Sequence, residues 1–416
     1  MYKEIEDRYA AQTEHEVSCY SMWGGKMYLM FYYDVYKDVR LVGTPPVTLG
    51  AFGGDHDNWG WPQHKGDFTL YRVYADAEGR PAEYSAGNVP LKPRRVLRIA
   101  TGGVHDGDFA MVIGFPGHTN RYASSFAVAE KQRVKNPVVV ANRHDRMDIL
   151  KRHMERDPKV RMKYSDSYFG LSNYADYAKW ENKCLCRFDV ESIRKAEEER
   201  LQRWIEADSA RRAENGGLLA DLERGYEGRR AAERSLNYFR EAWLGPSEAL
   251  LVANRVSSYL GKLDRLKLDS LKIDSKDAQS VVAGSGRLRR NYDVETDRDL
   301  LAKMIVNFTK HVPREMWGEQ LTEMYDAAGG DADRMAREAF DASFCSDPDR
   351  YDAYFERNRS VAEMRRDPLV RLTESVRVQR FTGGVDKAER RVRAQVGKAE
   401  SRYAGLLYDF RASEGI

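Results

Sequence analysis

Phe109-Ala110-Met111-Val112-Ile113-Gly114-Phe115-Pro116-Gly117-His118 runs on into Thr119-Asn120-Arg121-Tyr122-Ala123-Ser124-Ser125-Phe126-Ala127-Val128-Ala129-Glu130, and the texture of the chain changes across this join. Before it lie short runs dense in Tyr, Phe, Met and Val, separated by Gly and Pro. Glu16 to Trp23, Lys26 to Val42, Phe68 to Ala75, Arg95 to Ile99 and Phe109 to Phe115 are predicted strands. Gly24-Gly25 is a hairpin signal, and Pro45-Pro46 stops regular structure because proline cannot donate to a ladder. Short strands at this spacing predict an antiparallel barrel or sandwich. After Pro116-Gly117 the apolar residues take up helical spacing. Helices are predicted over Ser124 to Lys135, Glu191 to Asn215, Leu218 to Trp243, Pro246 to Leu266, Asp297 to His311, Asp331 to Phe340 and Val385 to Leu407. Ser124 is an expected cap, and Thr296-Asp297-Arg298-Asp299 marks the start of the helix that carries Leu300, Leu301 and Ile305. The expected class is therefore α+β, with a β domain at 1–118 and an α-helical domain at 119–416, the latter a bundle because no solenoid repeat is visible.

The 416 residues carry 68 Lys and Arg against 65 Asp and Glu, a balance that speaks against a nucleic-acid or membrane-surface binder. Basic clusters such as Arg287-Leu288-Arg289-Arg290 sit among acidic neighbours and read as solvated helix faces. No apolar run approaches the roughly 20 residues of a membrane span. The start, Met1-Tyr2-Lys3-Glu4-Ile5-Glu6-Asp7-Arg8, is charged and shows no secretory signal. Cys19, Cys184, Cys186 and Cys345 lack Cys-x-x-Cys spacing and are expected to be free or buried thiols, with one bridge as the alternative in an oxidising compartment.

The chemistry concentrates in Phe52-Gly53-Gly54-Asp55-His56-Asp57-Asn58-Trp59-Gly60-Trp61-Pro62-Gln63-His64-Lys65-Gly66-Asp67-Phe68. Four glycines, three carboxylates, two histidines and two tryptophans are more than a turn needs. Glycine lets backbone approach a ligand, tryptophan offers a flat amphipathic wall, and Asn, Asp and His fix polar groups. Zinc is not indicated, since no His-Glu-x-x-His or paired Cys-x-x-Cys occurs and His15-Glu16 lacks its second histidine. Phosphate-binding glycine loops are absent too, so no metal and no cofactor is expected. Asn307-Phe308-Thr309 is a formal glycosylation sequon inside a helical pattern and reads as coincidence.

This segment, with Lys37 to Pro46, Tyr71-Arg72-Val73-Tyr74-Ala75-Asp76, Gly114 to Tyr122 and Ser172-Asn173-Tyr174, resembles the S46 family of bacterial dipeptidyl-peptidases over essentially the whole chain. Gly60 and Gln63 stand where typical members carry Met and Arg. The resemblance implies a serine exopeptidase that removes dipeptides from oligopeptides with a free amino terminus. It implies part of a chymotrypsin-like double β-barrel followed by a large inserted α-helical domain, a homodimer, and a periplasmic or secreted location. Residue by residue, Asp67 matches the triad aspartate, which orients the catalytic histidine and stabilises its imidazolium. Asn58, Trp59 and Asn173 match residues that receive the substrate's α-amino group. On residue chemistry alone Asn173 reads as a helix cap.

The family's histidine motif and its Gly-Asn-Ser-Gly-Ser motif have no counterpart in this sequence. Gly284-Ser285-Gly286 sits amid helical, basic residues and reads as a helix break, and His56 and His64 match no triad position. The chain is accordingly expected to be an internal portion of such an enzyme, inactive by itself; the alternative is a non-catalytic protein that binds peptide amino termini, or a truncated chain without function. Side-chain preference at the cleavage position is not legible here.

Overall fold

The computed structural model describes residues 2–53, 59, 64–99, 101–111, 120–243, 245–267, 276–357, 360–378 and 387–415. Its contacts divide the chain into two compact units: Met1–Asp57 with Trp61–Ala123 and Glu400–Ile416, and Asn58–Gly60 with Ser124–Ala399.

The first unit holds five strands in two antiparallel sheets among the described residues. β1 (Glu16–Met22) and β2 (Met27–Tyr33) form the expected hairpin, with Met22 opposite Met27. Its turn needs glycine: Gly24 has φ 63°, and a Cβ there would stand 2.8 Å from the Ser401 carbonyl oxygen. β3 (Val39–Gly43), β4 (Leu70–Ala75) and β5 (Val89–Pro90) make the second sheet in the order β3-β4-β5, with an irregularity between Leu41 and Gly43. Three expectations change here. The run Lys26 to Val42 is interrupted between Tyr33 and Val39; there the Asp38 carbonyl accepts from the Tyr74 amide at 2.8 Å, and its carboxylate accepts from Arg40 at 2.8 and 2.9 Å and from Asn88 at 2.9 Å. Arg95 to Ile99 forms no strand: Leu97 and Ile99 would share one face, but the stretch has no pairing partner among the described residues and stays exposed. Phe109–Met111 is irregular, and residues 112–115 lie outside the described residues. An unanticipated helix, Tyr2–Ala10, is tied to β1 by the Glu6 carboxylate, which accepts from the Cys19 amide at 2.7 Å.

The second unit is helical. Leu218–Trp243 spans the expected residues, and Glu248–Leu266 begins after Ser247, whose Oγ accepts from the Leu250 amide. Ser124 caps Ser125–Glu130 as expected, accepting from the Ala127 amide at 3.2 Å. The start at Thr296-Asp297 is corrected: the helix is Val294–His311, capped by Asp293, and Asp297 is buried, accepting from Ser247 Oγ at 2.6 Å and from the Glu248 and Ala249 amides at 2.7 and 3.0 Å. Two long helices were not anticipated, Asn136–Arg156 and Pro158–Arg187. Each carries proline in its first turn; for Pro158, directly after the Asp157 cap, the missing N–H costs nothing. Pro137 has no N–H for the carbonyl one turn back and would crowd it. The five residues Lys131–Lys135 before it form a wide π turn that relieves this conflict. The core joins Phe239, Trp243, Leu260, Leu301, Ile305 and Phe308, with Phe308 edge-on to Phe239 and to Trp243 at 4.6 and 5.3 Å. Among the described residues no helix is long and apolar enough to cross a membrane. The four cysteines are free.

Candidate functional site

Helix Pro158–Arg187 sets the site. Asp157 caps it by accepting from the Lys159 amide, and Val160, Tyr164, Leu171, Ala175 and Ala178 are buried at helical spacing. Asn173 lies two residues from Leu171 and from Ala175, which turns it roughly 160° away from that buried stripe. Phe169, Asn173, Tyr174 and Tyr177 are exposed as a result. Asn173 is mid-helix, so the cap reading is corrected: the capping is done by Asp157.

Trp59 meets Asn173 on this face. Its indole Nε1 donates to Asn173 Oδ1 at 2.7 Å, and its ring stands edge-on to Tyr177 at 5.2 Å with an interplanar angle of 69°. The indole is a donor only, which obliges the Asn173 amide to turn its oxygen toward Trp59. A carbonyl oxygen has two lone pairs, so Oδ1 retains one acceptor site. Trp59 is 52% exposed and has φ 57°. The left-handed region costs a residue with a Cβ on the order of 1–2 kcal/mol and persists only where surroundings enforce it.

Tyr177 donates its hydroxyl to Glu181 Oε1 at 2.9 Å, and Lys131 Nζ reaches the same oxygen at 2.5 Å. Burial raises the Tyr177 phenol above its ordinary value and the Glu181 hydrogen bond adds to this. For Lys131, burial acts to lower the ammonium but the bond and charge of Glu181 outweigh it, and the net shift is upward.

Asp67 belongs to the first unit, in the irregular stretch leading to β4, which begins at Leu70 and not at Phe68. Beside it, the Gly66 amide donates to the Leu49 carbonyl at 3.1 Å, and a Cβ at Gly66 would be 3.0 Å from Leu49 Cγ. Asp67 is exposed, as is His64. Asn58 and His56 lie outside the described residues. Of the sequence-predicted site residues, then, Trp59 and Asn173 are brought into contact. Ser285 opens helix Ser285–Asn291 after a break between helices, and Gly284 is there for close approach, since a Cβ would fall 2.6 Å from Tyr351 Oη.

The peptidase S46 family model matches residues 1–415. The chain belongs to that family. This S46 chain is 30% identical over 411 residues to dipeptidyl-peptidase 7 of Capnocytophaga gingivalis, covering 95% of this chain and 55% of the relative. It is 32% identical over 369 residues to the Asp/Glu-specific dipeptidyl-peptidase of Porphyromonas gingivalis, covering 86% and 49%. The crystal structure of Porphyromonas endodontalis DPP11 in complex with the dipeptide Arg-Glu superposes with a TM-score of 0.81 and 25% identity, over 98% of this chain and 57% of that one. The S46 chain thus spans about half the length of the curated relatives it matches.

Tyr177 and Glu181 were not singled out in the sequence. The signal was there: Phe169, Asn173, Tyr177 and Glu181 are spaced by four, which on a helix is one face. It needed the helix to be recognised first.

Proposed function

We propose that this chain carries the amine-recognition elements and the orienting acid of a serine dipeptidyl-peptidase, an enzyme that releases dipeptides from oligopeptides with a free amino terminus. The observation that carries this reading is the Trp59 indole bonded to Asn173 Oδ1 on an exposed aromatic face. A substrate ammonium donates, and the acceptor site left on Oδ1 receives one of its protons. The rings beside that point, Trp59 and Tyr177, offer aromatic faces to a cation. Asn58, adjacent to Trp59, is proposed as a second acceptor. A pocket that binds the ammonium end admits a fixed length of peptide beyond the cut, which is what makes an exopeptidase.

Asp67 is proposed as the triad aspartate, accepting the Nδ1 proton of a histidine so that the imidazole has one tautomer and its charged form is stabilised during attack by a serine. The antiparallel sheet β3-β4-β5, whose β4 follows Asp67 in the chain, fits a portion of a chymotrypsin-like double barrel. On this reading residues 1–118 are barrel and 119–416 the helical domain. The names of the relatives, and the dipeptide held by the DPP11 of Porphyromonas endodontalis, point to peptides as ligands. A homodimer acting in the periplasm or outside the cell accords with the family.

Calorimetry with a tripeptide and its N-acetylated form tests the reading. Binding of the free amine, its loss on acetylation, and weakening of about tenfold in Asn173→Ala are expected, the fold-change that one charge-assisted hydrogen bond converts to. Equal affinity for the acetylated peptide overturns it. The 416-residue chain by itself is expected to release no dipeptide from a chromogenic dipeptidyl substrate. Turnover that disappears in Asp67→Asn contradicts that expectation while supporting the role of the acid.

A further inference from the structure

The π turn at Lys131–Lys135 has a consequence at Trp59. In an α-helix, residues five apart point about 140° away from each other. Here hydrogen bonding steps from i to i+5, with the Asn136 amide reaching the Lys131 carbonyl, and the two side chains come onto one face. Both meet Glu181: Lys131 Nζ is 2.5 Å from Oε1, and Asn136 Nδ2 donates to Oε2 at 2.9 Å. The Tyr177 hydroxyl is a third donor, to Oε1 at 2.9 Å. Glu181 therefore has both oxygens engaged and one geometry available. The same join is fastened again by Asn182, whose Nδ2 donates to the Gln132 carbonyl at 2.9 Å and whose Oδ1 accepts from Asn136.

A phenol held at its hydroxyl has the position of its ring axis fixed, with only rotation about that axis left. That ring is the one edge-on to Trp59, and Trp59 holds a backbone conformation that it does not adopt unaided. The indole in turn decides which way the Asn173 amide faces.

We propose that Lys131, Glu181 and Tyr177 form a clamp, built on the π turn, that positions Trp59 and thereby aims the Asn173 carbonyl at an incoming ammonium. This rests on the amine-recognition reading above. The three are positioning residues, since Tyr177 acts through Trp59 and the other two act through Tyr177. A purely structural role, in which the network only staples two helices together, makes a different prediction: loss of the clamp lowers stability and leaves the Trp59 indole where it is.

The indole N–H signal of Trp59 in a 15N–1H spectrum, identified by its disappearance in Trp59→Phe, reads the clamp without any peptide. In Tyr177→Leu it is expected to move toward the position of a solvated indole and exchange faster with water. In Tyr177→Phe, which keeps the ring but cuts it from Glu181, it should move less, and in Glu181→Gln, which preserves shape and an acceptor oxygen, least. Affinity for the free-amine tripeptide should fall in the same order, by about tenfold at most, the equivalent of one hydrogen bond. An indole signal that stays in place in Tyr177→Phe, where the ring remains and only its bond to Glu181 is lost, overturns the clamp. Failure of the unmodified chain to distinguish free from acetylated peptide overturns the amine reading instead, and the indole signal keeps the two failures apart. Should Tyr177→Leu unfold, Tyr177→Phe decides the matter.

Discussion

Asp38 in the strand-bearing unit and Asp297 in the helical unit are both nearly sealed from water, at 2% and 0% exposed, and their carboxyls are shifted in opposite directions. The hydrogen bond from Arg40, joined by one from Asn88, holds Asp38 down to about 2. Burial pushes Asp297 up to about 7 despite Ser247 and the Ala249 and Glu248 amides, because no cation is bonded to it. The contrast extends to the apolar side chains. The helical unit closes a continuous core around Leu301, Ile305 and Phe308, whereas Leu97 and Ile99 of the other unit are 86% and 89% exposed. Helices that pack by a stripe can bury that stripe against each other over a long span; strands pair by backbone first, and pairing alone buries nothing. One unit is therefore stabilised by exclusion of water, while the other relies on strand pairing and on polar contacts such as Asp38 with Arg40 and Asn88.

The largest effect expected from this contrast is in the core. Phe308→Ala should cost about 3–5 kcal/mol in denaturant unfolding, from lost burial and the cavity left behind. An equally mild response at Phe308 and at Leu97 would erase the distinction between the units. Next come the opposed carboxylates. The raised Asp297 contributes stability that is complete below the ordinary carboxylate value of about 3.9 and is lost as pH rises through about 7. Melting temperatures of Asp297→Asn should accordingly change less between about pH 5 and about pH 8 than those of the unmodified chain. Identical slopes would mean that Asp297 is ionised throughout. The lowered Asp38 contributes in the other sense: its stabilisation is present above about 3.9 and is lost as pH falls through about 2, to be read as acid-induced loss of amide protection in β3 and β4. Smaller again is Ser124→Ala, at about 1 kcal/mol for a lost helix cap. Leu97→Ala should fall within about 0.5 kcal/mol, as surface substitutions do, and a larger loss would show that this apolar stretch is covered in solution.

Much of the helical unit was legible in the residues because a 3.6-residue period is a local property. Leu218–Trp243 and the Ser124 cap needed nothing from elsewhere in the chain. The helix that carries Asn173 was not anticipated, since its first turn holds Pro158 and its exposed face is aromatic, a combination that hides the stripe. Strands fared less well. Arg95 to Ile99 has the composition of a strand and lacks a partner, and a partner is a tertiary matter.

Composition and spacing by themselves determined the split between strand-rich and helical regions, and it was the resemblance to the S46 family, matched residue by residue, that indicated the family and marked Asn58, Trp59, Asn173 and Asp67 as residues to watch. What only the tertiary structure decided is that Trp59 and Asn173 touch across 114 residues of sequence, and that a π turn, Glu181 and Tyr177 stand behind them. The reason is physical. Composition and period are read from neighbours along the chain, whereas a hydrogen bond between distant side chains exists only once both backbones have been placed, and nothing in either segment encodes the other's position.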